Sequence, residues 1–145
     1  MDKIKVLKLS PDAKLPTYGS ADAAGADLYA CLEQQIVIEP GESAFIPTGL
    51  AMEIPQGYAG LIYARSGLAC KRGLAPANKV GVVDSDYRGE FMVVLHNHGK
   101  NAQIISHHER IAQLVITPVF TPGFIECDCL NDTVRSDGGF GSTGK

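Results

Sequence analysis

The chain has 145 residues, thirteen Lys and Arg against sixteen Asp and Glu, a formal net charge of −3 and 45% hydrophobic residues. That length supports one domain with its own core, and the acidic balance argues against general nucleic-acid binding, which calls for a basic stripe. No apolar run is long enough to span a membrane, and MDKIKVLKLS at the start carries no signal-peptide core, so a cytoplasmic location is expected.

Ile4 to Leu9 (IKVLKL) predicts a first strand, and Pro11 to Ser20, with two prolines and a glycine, a loop. Ala24 to Ala30 carries Asp27 beside Leu28 and Tyr29. Short strands are expected at Ile36–Ile38, Ala44–Ile46 and Leu50–Ile54, each ended by Pro or Gly, and a buried strand at Tyr58–Ala64. Ser66 to Arg72 is the one short helix predicted, with Ser66 as N-cap and Gly73 after its end. Gly81-Val82-Val83 reads as the end of a strand, Asp84-Ser85-Asp86 as a turn, and Phe91–Leu95 (FMVVL) as the returning strand of a hairpin. Further strands are expected at Ala102–Ser106, Ile111–Val119 and Phe124–Leu130. Close spacing of short strands with Gly and Pro between them indicates an all-β sandwich or barrel. From Asn131 the chain is polar and rich in Gly and Ser, a tail unable to bury enough surface to fold alone.

Several of these segments carry chemistry. The turn after Val83 holds an acid, a ring and a cation: Asp84 could hold a water, Tyr87 could wall a sugar or base, and Arg88 could pair with an acid or a phosphate. The same residues also serve as ordinary turn formers. Arg65-Ser66-Gly67 at a helix start is a plausible anion site, or an ordinary N-cap beside a surface arginine. Gln113 sits in the apolar run Ile111–Ile116 and needs a partner if buried. Asn78 offers a donor and an acceptor to a base edge, or forms a turn. Gly139–Lys145 (GFGSTGK) fits most of a phosphate-loop pattern, but the Ser or Thr after the lysine is missing and no helix follows. Its glycines and hydroxyls can still turn N–H groups towards a phosphate. His96, His98, His107 and His108 complete no metal set. The four cysteines (Cys31, Cys70, Cys127 and Cys129) form no C-x-x-C pair and are expected to be free thiols.

Five segments in order resemble the five motifs of the trimeric dUTP pyrophosphatases (dUTPases): AGADLYA at Ala24–Ala30, ARSGLA at Ala64–Ala69, GVVDSDYRGEF at Gly81–Phe91, ERIAQL at Glu109–Leu114 and RSDGGFGSTG at Arg135–Gly144. The resemblance implies a distorted jelly roll over residues 1–130 and a flexible C-terminal arm, 131–145, that closes over the active site. It implies Mg²⁺-dependent hydrolysis of dUTP to dUMP and pyrophosphate, which limits uracil in DNA and supplies dUMP. It picks Asp84 over Asp86 as general base, with Gln113 at the α-phosphate or the attacking water. Arg65, Ser66 and Gly67 then hold the β- and γ-phosphates. The stretch from Asn78 through Gly81 and Val83 reads uracil, largely by its backbone, and Tyr87 packs on the deoxyribose. Phe140 stacks on uracil, Arg135, Gly141, Ser142 and Thr143 hold phosphates, and Asp27 holds a water of the metal.

The same resemblance implies a homotrimer with sites shared between chains, and neither nucleic acid nor membrane as partner. Glu109 and Arg110 are expected to be structural charges, and His108 stands where the family has Gly. A dCTP deaminase on the same scaffold and a nucleotide-sensing protein without turnover are the competing readings. The complete third and fifth motifs argue against the first, and Asp84, Tyr87, Arg65, Gln113 and Phe140 together argue against the second.

Overall fold

The computed structural model describes residues 3–139. Its strands are β1 (Lys5–Lys8), β2 (Thr17–Tyr18), β3 (Ala26–Tyr29), β4 (Ile36–Ile38), β5 (Ser43–Pro47), β6 (Leu50–Glu53), β7 (Tyr58–Tyr63), β8 (Leu74–Pro76), β9 (Gly81–Val83), β10 (Met92–Asn97), β11 (Gln103–Ile105) and β12 (Arg110–Pro118), with the helix α1 (Ser66–Arg72) after β7. The strands make four open sheets among the described residues, in the orders β2-β3-β12-β7-β9, β5-β10-β8, β1-β6 and β4-β11. The all-β expectation holds, and no sheet closes into a barrel.

The sheets share one core because each gives it one face. In β10 the period of two buries Val93, Leu95 and Asn97 and leaves Met92 outside. Leu28, Ile46, Leu74 and Ile111 join them from four other strands. Asn97 is fully buried and fully paired. Its Nδ2 donates to the carbonyls of Ile38 and Asn101, each at 2.9 Å, and its Oδ1 accepts from Gly99 N at 2.9 Å. Gly60 in β7 is closely packed, since a Cβ there would lie 2.7 Å from the tip of Ile54, which would have to shift.

Several local expectations are corrected. Gly81–Val83 and the strand after Phe91 are not the arms of a hairpin. β9 pairs with β7, whereas β10 pairs with β5 and β8, so Asp84–Phe91 is a crossover between two sheets. The turn chemistry is present, but strand partners are chosen by the core rather than by nearness in sequence. β11 pairs with β4, so His107-His108 lies in a connection between two sheets. Phe124–Leu130 forms no strand: Phe124 is 99% and Ile125 91% exposed, and neither has a β partner among the described residues. β2 and β8 are too short, at two and three residues, to leave a periodic signal.

Ser66 is not the N-cap. Arg65 takes that place in extended backbone, with no side-chain cap, and Ser66 is already the first helical residue. At the other end Gly73 closes the helix at φ 68°, as its position predicts. His108 sits at φ 62°, the left-handed region a glycine enters without cost, so the turn keeps a glycine's geometry despite the imidazole.

Candidate active site

One cluster forms where β3, β12 and β7 run side by side. Gln113 stands opposite Asp27 on one flank and opposite Tyr63 on the other. Two residues past Tyr63 the chain reaches Arg65, which turns back over the sheet. Its Nε donates to Asp27 Oδ1 at 2.8 Å, while an Arg110 terminal nitrogen donates to Oδ2 at 3.2 Å. Asp27 is 7% exposed, so its charge is removed from water and both oxygens are matched by guanidinium donors. Gln113 is half-buried beside Gly25; a Cβ on that glycine would lie 3.0 Å from Gln113 Oε1, so the small residue gives the amide its place. Ser66 and Gly67 stand exposed at the start of α1, next to Arg65.

The helix is held from behind. Arg72 donates to Gln103 Oε1 at 2.9 Å, to the carbonyl of Ile104 at 2.6 Å and to the carboxylate of Glu109. Glu109 Oε2 also accepts from Ser106 N at 3.0 Å. Glu109 is thus a structural charge, as expected. Arg110 does more, because it shares Asp27 with Arg65. Nothing in the sequence marked this, since it follows from the register of β12 against β3, with its bulge between Arg110 and Ala112.

A second region is a cleft of about 440 Å³ on the far side of β7. Asn78, Gly81, Val83, Asp84 and Tyr87, all named from the sequence, line it, with Phe45 and Ile62 among the apolar walls. Asp84 is exposed at its rim, and Tyr87 is 46% exposed. Arg88 spends its guanidinium inside the loop, donating to the carbonyls of Ser85 at 2.7 Å and Tyr87 at 3.0 Å. Phe45 and Met92 were not foreseen, since they reach the cleft through the pairing of β5 with β10, and Glu90 enters it from the crossover loop.

The cluster and the cleft flank β7 on its β12 and β9 sides, and Asp84 lies towards the end of β7 away from the cluster. β9 runs antiparallel to it, with Gly81 opposite Ile62 and Val83 opposite Gly60, so Asp84 falls beside the Ala59 end. Gln113 is opposite Tyr63. Four residues of strand between Ala59 and Tyr63 span about 13 Å. Within one chain, Asp84 therefore does not meet Asp27, Arg65 or Gln113.

Arg135 is exposed and donates to Gly138 O at 2.8 Å, within its own turn. The other arm residues named from the sequence (Phe140, Gly141, Ser142 and Thr143) lie outside the described residues. All four cysteines are free thiols, as expected. His96 and His98 pack at 4.4 Å between ring centroids, and His96 Nδ1 lies 2.8 Å from Ser43 Oγ. Among the described residues no three His, Cys, Asp or Glu side chains converge as a metal cage, and no helix is long and apolar enough to cross a membrane. The donor set suits a hard ion that keeps its waters and is held mainly by substrate oxygens. Each Asp27 oxygen retains acceptor capacity beyond its arginine bond and can take a metal-bound water.

The dUTPase family model matches residues 11–144. Deoxyuridine 5'-triphosphate nucleotidohydrolase from Desulfitobacterium hafniense is 50% identical over 145 residues, covering 98% of this chain and 96% of that protein. The protein of the same name from Nautilia profundicola is 50% identical, covering 99% of each. Among solved structures, the Staphylococcus bacteriophage 80alpha dUTPase with dUPNHPP superposes at a TM-score of 0.91, with 29% identity and full coverage of both chains. A mutant dUTPase of phage phi11 of S. aureus, solved for the coordination of a structural Mg(II) ion, gives 0.80 at 27% identity, over 88% of this chain and 97% of that one.

Proposed function

The chain belongs to the dUTPase family, and from that premise we propose that it hydrolyses dUTP to dUMP and pyrophosphate at a site assembled from more than one copy of itself. The observation that carries the reading is the separation of Asp84 from the Asp27–Arg65–Gln113 cluster along β7. The Asp27–Arg65–Gln113 cluster suits a polyanion, and the Asn78–Tyr87 cleft suits a deoxynucleoside. Neither half is sufficient, and one chain keeps Asp84 apart from the cluster. A ring of copies that lays the cleft of one against the cluster of the next completes both, as in a homotrimer.

In that site the cleft receives the uracil against the backbone of Gly81 and Val83, with Asn78 at its edge. Tyr87 packs on the sugar and leaves no room for a 2′-hydroxyl. A polar mismatch rejects cytosine because it leaves buried groups unpaired, and thymine is refused for lack of space. Asp84 takes a proton from a water as that water attacks the α-phosphorus in line. The bond from the α-phosphorus to the bridging oxygen breaks, and pyrophosphate leaves. A positioned carboxylate base contributes about 10²–10⁴-fold. Gln113 orients the α-phosphate or the water, and Arg65 with Ser66 and Gly67 hold the β- and γ-phosphates. Arg135, Gly141, Ser142 and Thr143 cover the phosphates from a third copy, and Phe140 covers the base. Mg²⁺, when bound, offsets the triphosphate charge, with Asp27 holding one of its waters. These preorganised charges are the larger electrostatic share of phosphoryl transfer.

The test is pyrophosphate and ammonia release from dUTP, dCTP, dTTP and UTP, with Mg²⁺ and with chelator. Pyrophosphate from dUTP alone, abolished by chelator, is the expected result. Ammonia from dCTP would move the protein to the deaminase reading, and binding without turnover to a nucleotide sensor.

A further inference from the structure

We infer that Glu90 is the positioning residue that holds the Tyr87 ring in place, and that sugar discrimination depends on it. This rests on Tyr87 packing against the deoxyribose, as proposed above.

Tyr87 is a surface ring on a crossover loop, and nothing in its own exposure fixes its direction. Two contacts do. Its hydroxyl donates to the carbonyl oxygen of Glu90 at 3.0 Å, and its ring folds over Gly89, where a Cβ would lie 2.4 Å from the hydroxyl oxygen and 2.6 Å from the ring. The ring therefore lies back along its own loop, so its position depends on where the backbone of residue 90 is held.

That backbone is tied to the turn between β5 and β6. Glu90 Oε1 accepts from Gly49 N at 2.7 Å. On the next residue, Thr48 Oγ1 donates to the carbonyl of Phe91 at 2.6 Å, and Phe91 N donates to Leu50 O at 2.8 Å. The Phe91 ties belong to the core, where Phe91 is 1% exposed. The Glu90 tie is different: it is a charge-assisted bond from a half-buried side chain in the wall of the cleft. Its donor is also fixed. Gly49 sits at φ 68°, and a Cβ there would meet Ala13 at 2.8 Å and Cys31 at 3.0 Å. The chain of restraint runs Gly49 N–H, Glu90 carboxylate, Glu90 carbonyl, Tyr87 hydroxyl, and Glu90 never touches the reacting atoms.

The measurement is the ratio of kcat/KM for dUTP to kcat/KM for UTP. Glu90→Ala should lower that ratio about tenfold, the loss of one hydrogen bond to a charged group, mainly by raising activity on UTP. Glu90→Gln should restore it, because the amide oxygen can still accept from Gly49. Should Glu90→Ala fail to fold, Glu90→Asp, one methylene short of Gly49, carries the same test. A wild-type ratio in Glu90→Ala or Glu90→Asp, or a Glu90→Gln as relaxed as Glu90→Ala, would overturn the inference. Tyr87→Ala separates the two layers. If it relaxes sugar choice while Glu90→Ala does not, only Glu90 is wrong; if it leaves the ratio unchanged, the reading of Tyr87 itself fails.

Discussion

At one end of β7, Asp27 is 7% exposed and both its oxygens accept from arginines. At the other, Asp84 is exposed, and its carboxylate accepts no hydrogen bond among the described residues. The two acids have the same chemistry and opposite surroundings. Asp27 acts as a fixed charge that keeps Arg65 and Arg110 pointed in set directions. Asp84 stands open to solvent, the place the proposed reaction needs for a carboxylate that would hold and deprotonate a water. On the proposed function, the body separates holding a polyanion, which wants rigid and partly dry charge, from activating a nucleophile, which wants an acceptor left open.

The sharpest way to break that contrast is Asp84→Asn. Turnover should fall by about 10²–10⁴-fold, while nucleotide affinity measured by calorimetry stays close to wild type. Retained turnover would remove Asp84 from its role. Next in size is truncation after Leu130. Losing the phosphate donors of the arm should cost about 10²–10³-fold in kcat, with the melting temperature nearly unchanged because residues up to Gly139 bury so little. A large drop in melting temperature would mean that the arm belongs to the fold.

A third experiment tests whether the two ends of β7 serve different sites. Asp84→Asn chains and Arg65→Ala chains, each inactive alone, should recover roughly a quarter of wild-type activity when refolded together as random trimers. A mixture as silent as its parents would place both residues in one chain's site. The smaller effects concern stability. Asp27→Ala strands two guanidiniums, one largely buried, and should destabilise by about 1–3 kcal/mol in chemical denaturation. Lys5→Ala breaks an exposed pair with Glu53, and should change it by under about 1 kcal/mol. Equal effects from these last two would mean that Asp27 is as well solvated as any surface acid.

The sequence made the local features legible. Apolar runs bounded by Gly and Pro marked most strands, and Gly73 marked the helix end. The turn residues after Val83 marked a reversal, and the five motifs named most of the residues found in the two clusters. What stayed hidden was partnership. FMVVL looked like the returning arm of a hairpin because it followed a turn, yet β10 found β5 and β8, where its alternate residues could be buried. Phe124–Leu130 read as a strand because it is apolar, but apolar content does not supply a neighbour to pair with. Glu90 carried no sequence signal beyond being an acid next to Gly89, since its significance comes from Gly49, far away in sequence. The separation of Asp84 from Arg65 is likewise a matter of register along β7, and register is set by long-range pairing.

The placement of β7 also has a consequence for inheritance. If each strand serves one site with its Arg65 end and another with its Asp84 end, the chains of an assembly do not fail independently. A defect at either tip spoils one site. A defect in the middle, such as a side chain at Gly60 pressing on Ile54, spoils two of three. In a cell making a healthy and a damaged copy together, tip alleles would be close to recessive, and mid-strand alleles would behave as dominant.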